Sequence, residues 1–277
     1  MGTAITGGTP ARNCVAASAE IVAEAAGGAT RLPVLQSQAP LVLRRTPEAV
    51  YLVGGAAGPI GGDLLDLRIE VRDGATLRVR TAAAAVALPG LDDLESVLTV
   101  TATAGRGSRL EYLPEPVVVS AGARHATVIQ VTLAEGASLL LREELILGRH
   151  GEPGGASRTS LRIDYAGRPL LRQSLEVSGT DEASLGPAVL AGSRAVGTLL
   201  CVDPGADPAI GRQSGPGLPA GPRAASDAPP GRAPHTDPAV AVMPLAGPGT
   251  LITALAGDAV MLRKRLEAWS PGGREPC

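Results

Sequence analysis

Two adjacent glutamates, Glu143 and Glu144, lie inside the apolar run from Leu139 to Leu147. Neighbouring residues of a strand point to opposite faces, so one carboxylate faces outward and the other faces the layer interior. A buried carboxylate needs a partner, and Arg142 or Arg149 stands close enough in sequence to serve. Alternatively, Asp63, Glu143 or Glu144, and Glu176 line a polar passage, offering hard oxygen ligands to a divalent ion in transit without closing around it. Asp63 ends the glycine-rich run Gly54 to Gly62, where it is either a backbone acceptor that closes the turn or a polar group presented to a channel or cleft. The run matches neither GxGxxG nor GxxxxGK[ST], and a strand follows it rather than a helix. It therefore reads as a tight multi-glycine turn and not as a phosphate loop.

The remaining chemical resources are sparse. His150 and Glu152 form a His-x-Glu pair in a polar loop, His125 starts a strand and is expected to be exposed, and His235 sits in a proline-rich stretch. A metal centre asks for three or four convergent ligands, which these do not supply. No GxSxG, HExxH or Cys-His pattern is present. An enzyme on a β-sandwich would have to use Glu143 and Glu144 with His150, and two adjacent strand positions point apart. Lys264 is the single lysine among 25 basic residues, which removes Schiff-base and P-loop chemistry elsewhere. Cys14, Cys201 and Cys277 are too widely spaced for a disulfide scaffold or a structural zinc site, and a reducing compartment fits them.

The elements that must hold these groups are strands. Leu65, Leu67, Ile69 and Val71 alternate with Asp66, Arg68, Glu70 and Arg72; Asp73-Gly74 turns the chain; Leu77 and Val79 then alternate with arginines. The pattern predicts a half-buried hairpin or a stacked strand pair. Similar Gly turns opening apolar strands recur at Gly105 to Leu110, Glu135 to Leu139 and Gly167 to Leu171. Many short strands with regular turns predict a mainly β body, either a layered sandwich or an irregular solenoid, with few helices. Eleven of the 24 prolines fall between Pro204 and Pro248. A flexible insertion is expected at about 205–238, hanging from one domain that spans 1–277. Beyond it, two strands return to pair with the strand at 195–202, and Asp258 caps a closing helix on which Leu262, Leu266 and Trp269 share a face.

Composition narrows the partners. The formal charge is −2 and aromatic residues make up 1% of the chain, so nucleic acid has neither a field nor stacking platforms to bind. The most apolar stretch, 185–202, carries Arg194 and three glycines, and the N-terminus has no basic and apolar leader; no membrane association is expected.

One ordered set of motifs ties these pieces together: Gln38-Ala39-Pro40-Leu41; Gly61-Gly62-Asp63 before an alternating strand; Glu111-Tyr112-Leu113-Pro114-Glu115-Pro116; Gly122-Ala123-Arg124; and Arg142 to Arg149 with Gly151-Glu152. In order and spacing it resembles the urease accessory protein UreD (UreH) family over about residues 20–203 and again in the last strand and helix. The resemblance implies a non-enzymatic, cytoplasmic role in nickel urease maturation. It implies a β-rich, solenoid-like body that binds a UreF-like partner, joins a UreG-like GTPase and docks on apo-urease, with no tightly bound cofactor and Ni²⁺ passing through the interior. On that model Asp63, Glu143, Glu144 and Glu176 are transit candidates, while Gly61, Gly62, Gly148, Arg149 and Glu152 hold the turns that shape the passage. The segment Thr81 to Leu88 departs from the family, being an alanine run where members carry polar, lysine-containing and aromatic residues. A solenoid adaptor with no metal role is the alternative within the same fold.

Overall fold

The computed structural model describes residues 14–205 and 239–269. The chain runs through β1 (Ala16–Ala26), β2 (Ala29–Ser37), β3 (Leu41–Arg45), β4 (Val50–Gly54), β5 (Leu64–Val71), β6 (Thr76–Thr81), β7 (Ala85–Ala87), β8 (Ser96–Ala104) and β9 (Arg109–Leu113). It continues through β10 (Val117–Val119), β11 (Arg124–Leu133), β12 (Ser138–Leu147), β13 (Ala156–Tyr165), β14 (Arg168–Ser178), the short α1 (Glu182–Leu185), β15 (Ala195–Val202), β16 (Val240–Pro244), β17 (Gly249–Ala256) and α2 (Ala259–Glu267). The fold is mainly β, with solenoid-like stacked coils and a C-terminal helix. The proline-rich stretch lies, from 206 to 238, outside the described residues, as does His235.

Two sheets face each other. One has seven strands in the order β14-β13-β11-β8-β5-β1-β2; the other has ten, with β16-β17-β15-β12-β9-β6-β4-β3 as its main path. The chain passes from the first to the second at the recurring Gly turns, so β5 leads to β6, β8 to β9 and β11 to β12. Residues 65–80 are therefore not a hairpin. Leu65, Leu67, Ile69 and Val71 of one sheet and Leu77 and Val79 of the other are all buried, and turning a corner points both apolar rows at one core. A hairpin would have left the two rows side by side on one face, with nothing opposite. Gly74, Gly107 and Gly136 adopt positive φ at successive corners, where a side chain would be strained. The corners stack: Gly74 N–H donates to Arg106 C=O (2.9 Å), Arg109 N–H to Ala75 C=O (2.8 Å) and Ser138 N–H to Ser108 C=O (2.9 Å). Parallel pairing then follows, β1 with β5, β5 with β8, β8 with β11, and β6 with β9 and β9 with β12.

Asp258 caps α2 by accepting from Met261 N–H at 2.8 Å. Leu262 and Leu266 are buried against Leu199, Ile252 and Ala254 on the outer face of the ten-stranded sheet, and Trp269 packs at the same cluster.

Candidate functional site

Strand β12 carries the two glutamates through the centre of the ten-stranded sheet. On one edge it pairs with β15 from Leu139 to Ile146. On the other it pairs with β9 as far as Leu141↔Tyr112 and with β10 only from Leu145↔Val117, so residues 142–144 have no strand partner there. The intervening Pro114-Glu115-Pro116 cannot continue the ladder, because two of the three residues have no N–H. A parallel break separates β6 from β7 at 82–84. The two breaks lie side by side, tied by Glu115 N–H donating to Thr81 Oγ1 (2.8 Å) and Ala85 N–H to Pro116 C=O (3.0 Å). The sheet thus has a window.

A cavity of about 470 Å³ reaches from this window into the space between the sheets. Leu52, the 81–86 segment, Pro114 and Glu115 line it on the window side, and Tyr112, His125, Thr127, Glu143 and Thr159 line it within. A second cavity, about 240 Å³, lies between the last strands of the two sheets and is lined by Gln173, Leu175, Val240, Ala241, Thr198 and Thr253. Glu143, Leu145 and Thr159 line both. Gln173 Oε1 and Thr253 Oγ1 are buried on the wall of the second cavity with no hydrogen bond from a described residue.

The two glutamates have opposite surroundings. Glu143 shares its face with Leu141 and Leu145 toward the inter-sheet core, and no ion pair or hydrogen bond joins its carboxyl to a described residue. Burial pushes its carboxyl up to about 8, so it is largely protonated near neutral pH. Glu144 faces the other way. Arg263 of α2 donates to it through Nε at 2.8 and 3.0 Å and also through Nη2, and reaches Glu115 at 3.2 and 3.3 Å. Arg142 Nε lies 3.3 Å from Glu144 without hydrogen-bond alignment, so proximity there is charge attraction only. Burial alone would lower the Arg263 guanidinium; its hydrogen bonds to Glu144 and Glu115 outweigh that and hold it above its ordinary value.

Asp63 is buried and does not line either cavity. Its carboxylate accepts from Val15 N–H and Ile60 N–H, both at 2.9 Å, closing the glycine turn and tying the start of β1 to β5. Gly61 and Gly62 permit that closure: a Cβ on Gly61 would sit 2.4 Å from Leu94 C=O, and Gly62 holds φ +98°. Glu176 is exposed on the outer face of β14, opposite Arg158 in register, and also lines neither cavity. The alternation decides this, since Gln173, Leu175 and Val177 take the inner face. Of the four transit candidates, then, Glu143 and Glu144 border the larger cavity, while Asp63 and Glu176 lie elsewhere.

The Gly148 to Glu152 turn is a separate structure. Arg149 and Glu152 pair through Nε (2.8 Å) and Nη2 (2.9 Å), and Arg149 N–H adds a third bond at 2.8 Å. These bonds hold the Glu152 carboxyl down to about 2. Arg194 donates to the carbonyls of Leu147, Arg149 and Glu152, and fastens the turn to β12. His150 is exposed, so it does not join Glu143 or Glu144 in a catalytic constellation.

His125 is buried, contrary to the exposure expected from its place at a strand start. Ser96 Oγ lies 2.9 Å from Nδ1 and Thr127 Oγ1 3.2 Å from Nε2, and Ser96 and Ser157 flank it in register. Parallel stacking of coils buries it, and burial lowers its pKa to about 4. Sequence reasoning also passed over Arg263 and Glu115. Only the spacing of Pro114 and Pro116, two residues that interrupt a ladder, signalled a break there. Among the described residues no three His, Cys, Asp or Glu side chains converge to hold a metal ion, and no helix is long and apolar enough to cross a membrane.

The molecule is thus a coiled β stack whose ten-stranded sheet opens onto a partly polar interior, where Glu143 is the acid left without an ion pair to a described residue. Residues 15–271 match the family model of the UreD urease accessory protein, and the chain belongs to that family. It is 46% identical to a urease accessory protein UreD of Streptomyces griseus, over 91% of this chain and 95% of that one. A UreD of Parafrankia sp. (strain EAN1pec) is 42% identical over 94% and 89%, and that of Streptomyces coelicolor 42% over 91% and 94%.

Proposed function

We propose that this chain acts in urease maturation as a cytoplasmic, non-catalytic scaffold. It binds a UreF-like accessory protein, meets a UreG-like GTPase through that complex, docks on apo-urease and lets Ni²⁺ cross its interior. The meeting of two cavities at Glu143, Leu145 and Thr159 carries the nickel part of this reading. Their wall supplies hydroxyl, amide and carboxyl oxygens, and Glu143 is held largely protonated by burial. Such a wall offers hard ligands without a fixed charge that would trap a dication. Asp63 and Glu176 have no part in the route, one being consumed by backbone donors and the other facing solvent.

Size exclusion at micromolar concentration tests the scaffold: a one-to-one complex with the UreF-like protein forms without GTP, and separate elution overturns the partner assignment. Glu143→Leu and Thr159→Leu test the route. Both leave that complex intact and lower the nickel content of urease matured with it; unchanged nickel content in both variants removes the passage.

A further inference from the structure

The outer face of the ten-stranded sheet is divided. Helix α2 covers its β12, β15 and β17 part, where Leu199, Ile252, Ala254 and Ala256 are buried. The β9-β6-β4-β3 part has no helix over it among the described residues, and four of its outward positions are arginines. Arg44↔Tyr51 and Tyr51↔Arg80 are register partners, as are Arg78↔Glu111 and Thr76↔Arg109, so Arg44, Arg78, Arg80 and Arg109 stand on one face. Glu111 is the carboxylate they share: it meets Arg80 at 3.0 Å, Arg109 at 3.1 Å and Arg78 at 3.2 Å. Burial would raise the Glu111 pKa, but hydrogen bonds from Arg80 and Arg109 outweigh it and keep the group ionised. One anion thus holds three guanidinium groups in place and neutralises one of them. Arg78 and Arg109 remain half exposed, and each guanidinium has five N–H donors to offer.

The seven-stranded sheet gives several of its arginines their own carboxylates, although Arg124, Arg162 and Arg168 are exposed beside them. There Arg68 pairs with Asp66, Arg72 with Glu70 and Glu24, Arg158 with Glu95 and Arg172 with Asp164. The cationic excess on the other sheet also borders the window, since Arg80 precedes Thr81 on its rim. The chain has no acid-rich segment of its own to cover this face: residues 206–238 hold three Asp and three Arg, and residues 1–13 hold Arg12 as their one charged side chain.

We propose that the Arg44, Arg78, Arg80 and Arg109 face is a docking surface for a carboxylate-rich surface of a protein partner, which it seats over the window. Guanidinium forks match carboxylates bidentately, and pairs excluded from water at such a contact gain over exposed ones. A polyanion with bases is the poorer occupant, because Tyr51 is the one aromatic in this array. The inference rests on the docking part of the proposed function and is independent of the nickel route.

Arg78→Gln with Arg109→Gln tests it, since Glu111 keeps Arg80 and the sheet keeps its core. A fluorescent peptide of sixteen glutamates is expected to bind the wild-type chain, with affinity falling steeply between 50 and 300 mM NaCl, and to bind the double variant at least tenfold more weakly. Apo-urease and the UreF-like protein are titrated in the same way, and one of them shows the same loss. Equal binding of the peptide to both chains overturns the surface. So does an unchanged affinity of the variant for both proteins, while leaving the scaffold reading in place. Absence of any wild-type complex with either protein, beside peptide binding that depends on the arginines, removes the scaffold reading and keeps the surface. Tighter binding of a sixteen-nucleotide single strand than of the peptide reassigns the face to nucleic acid and overturns the proposal.

Discussion

The two sides of β12 treat a carboxylate in opposite ways. On the outer side Glu144 is met by Arg263 and Arg142, two arginines it shares with Glu115, so a fully buried carboxylate is paired and fastens α2 to the sheet. On the inner side the Glu143 carboxyl, one residue away, has neither cation nor N–H donor among the described residues and is driven toward its neutral form. Asp63 gives a third solution, a buried carboxylate held by two backbone N–H groups. The contrast shows where the fold spends acid groups on its own stability and where it leaves one available to a cavity. Saturated carboxylates are structural, and their removal is felt as unfolding. The unsaturated one weakens the fold when ionised, and its removal is felt in the opposite direction.

The largest effect is expected on the outer side. Arg263→Met strips Glu144 of its main partner and leaves only the misaligned Arg142, costing about 3–5 kcal/mol of unfolding free energy. Adding Glu144→Met to that variant removes the stranded charge and is expected to restore more than half of the loss. Urea unfolding of both variants measures this. A double variant no more stable than Arg263→Met alone would show that α2 is held by packing and not by the clamp.

Asp63→Ala is expected to follow, at about 2–3 kcal/mol, because the N–H groups of Val15 and Ile60 are left without an acceptor. Thermal melting reads this directly. If urease maturation falls while the melting curve stays in place, Asp63 has a role beyond closing its turn and the contrast with Glu143 is broken.

The stacked β body, the closing helix and the opposed faces of Glu143 and Glu144 were legible in the chain, because alternation, Gly corners and a cap are local signals. The separation of β5 from β6 was not, since a Gly turn between two alternating runs serves a hairpin and a corner equally well. What decides is the partner row across the core, a property of the whole stack. Glu176 was misplaced for a related reason. It lies in a run where Leu170, Leu171 and Leu175 occupy both parities, and only pairing with β13 fixes which parity faces inward. His125 read as exposed because its flanks are Arg124 and a glycine turn; Ser96 and Ser157, which enclose it, are about 30 residues away on either side. Arg263 had no local signal at all, because the residues it clamps are 119 and 148 positions distant.

The inner side is sharpened by pH. Glu143 has a native value of about 8 against an ordinary 4.5, so between those limits the native state holds a proton that the unfolded chain has released. Stability from this group is therefore greatest below pH 4.5 and declines as pH rises toward 8. Glu143→Gln abolishes the decline and should be the more stable protein at pH 8, by roughly 2 kcal/mol once solvent reaching the cavity is allowed for, with little difference at pH 4.5. His125 contributes the opposite slope: its native value near 4 lies below the ordinary 6.5, so its contribution is complete above pH 6.5 and is lost as pH falls toward 4. His125→Asn is accordingly expected to flatten the acid limb of the stability profile, and Glu143→Gln the alkaline limb. Guanidinium midpoints taken at half-unit steps from pH 4.5 to 8.5 separate the two limbs. A Glu143→Gln profile parallel to the wild type would mean that the inner carboxyl is ionised and partnered like the outer one.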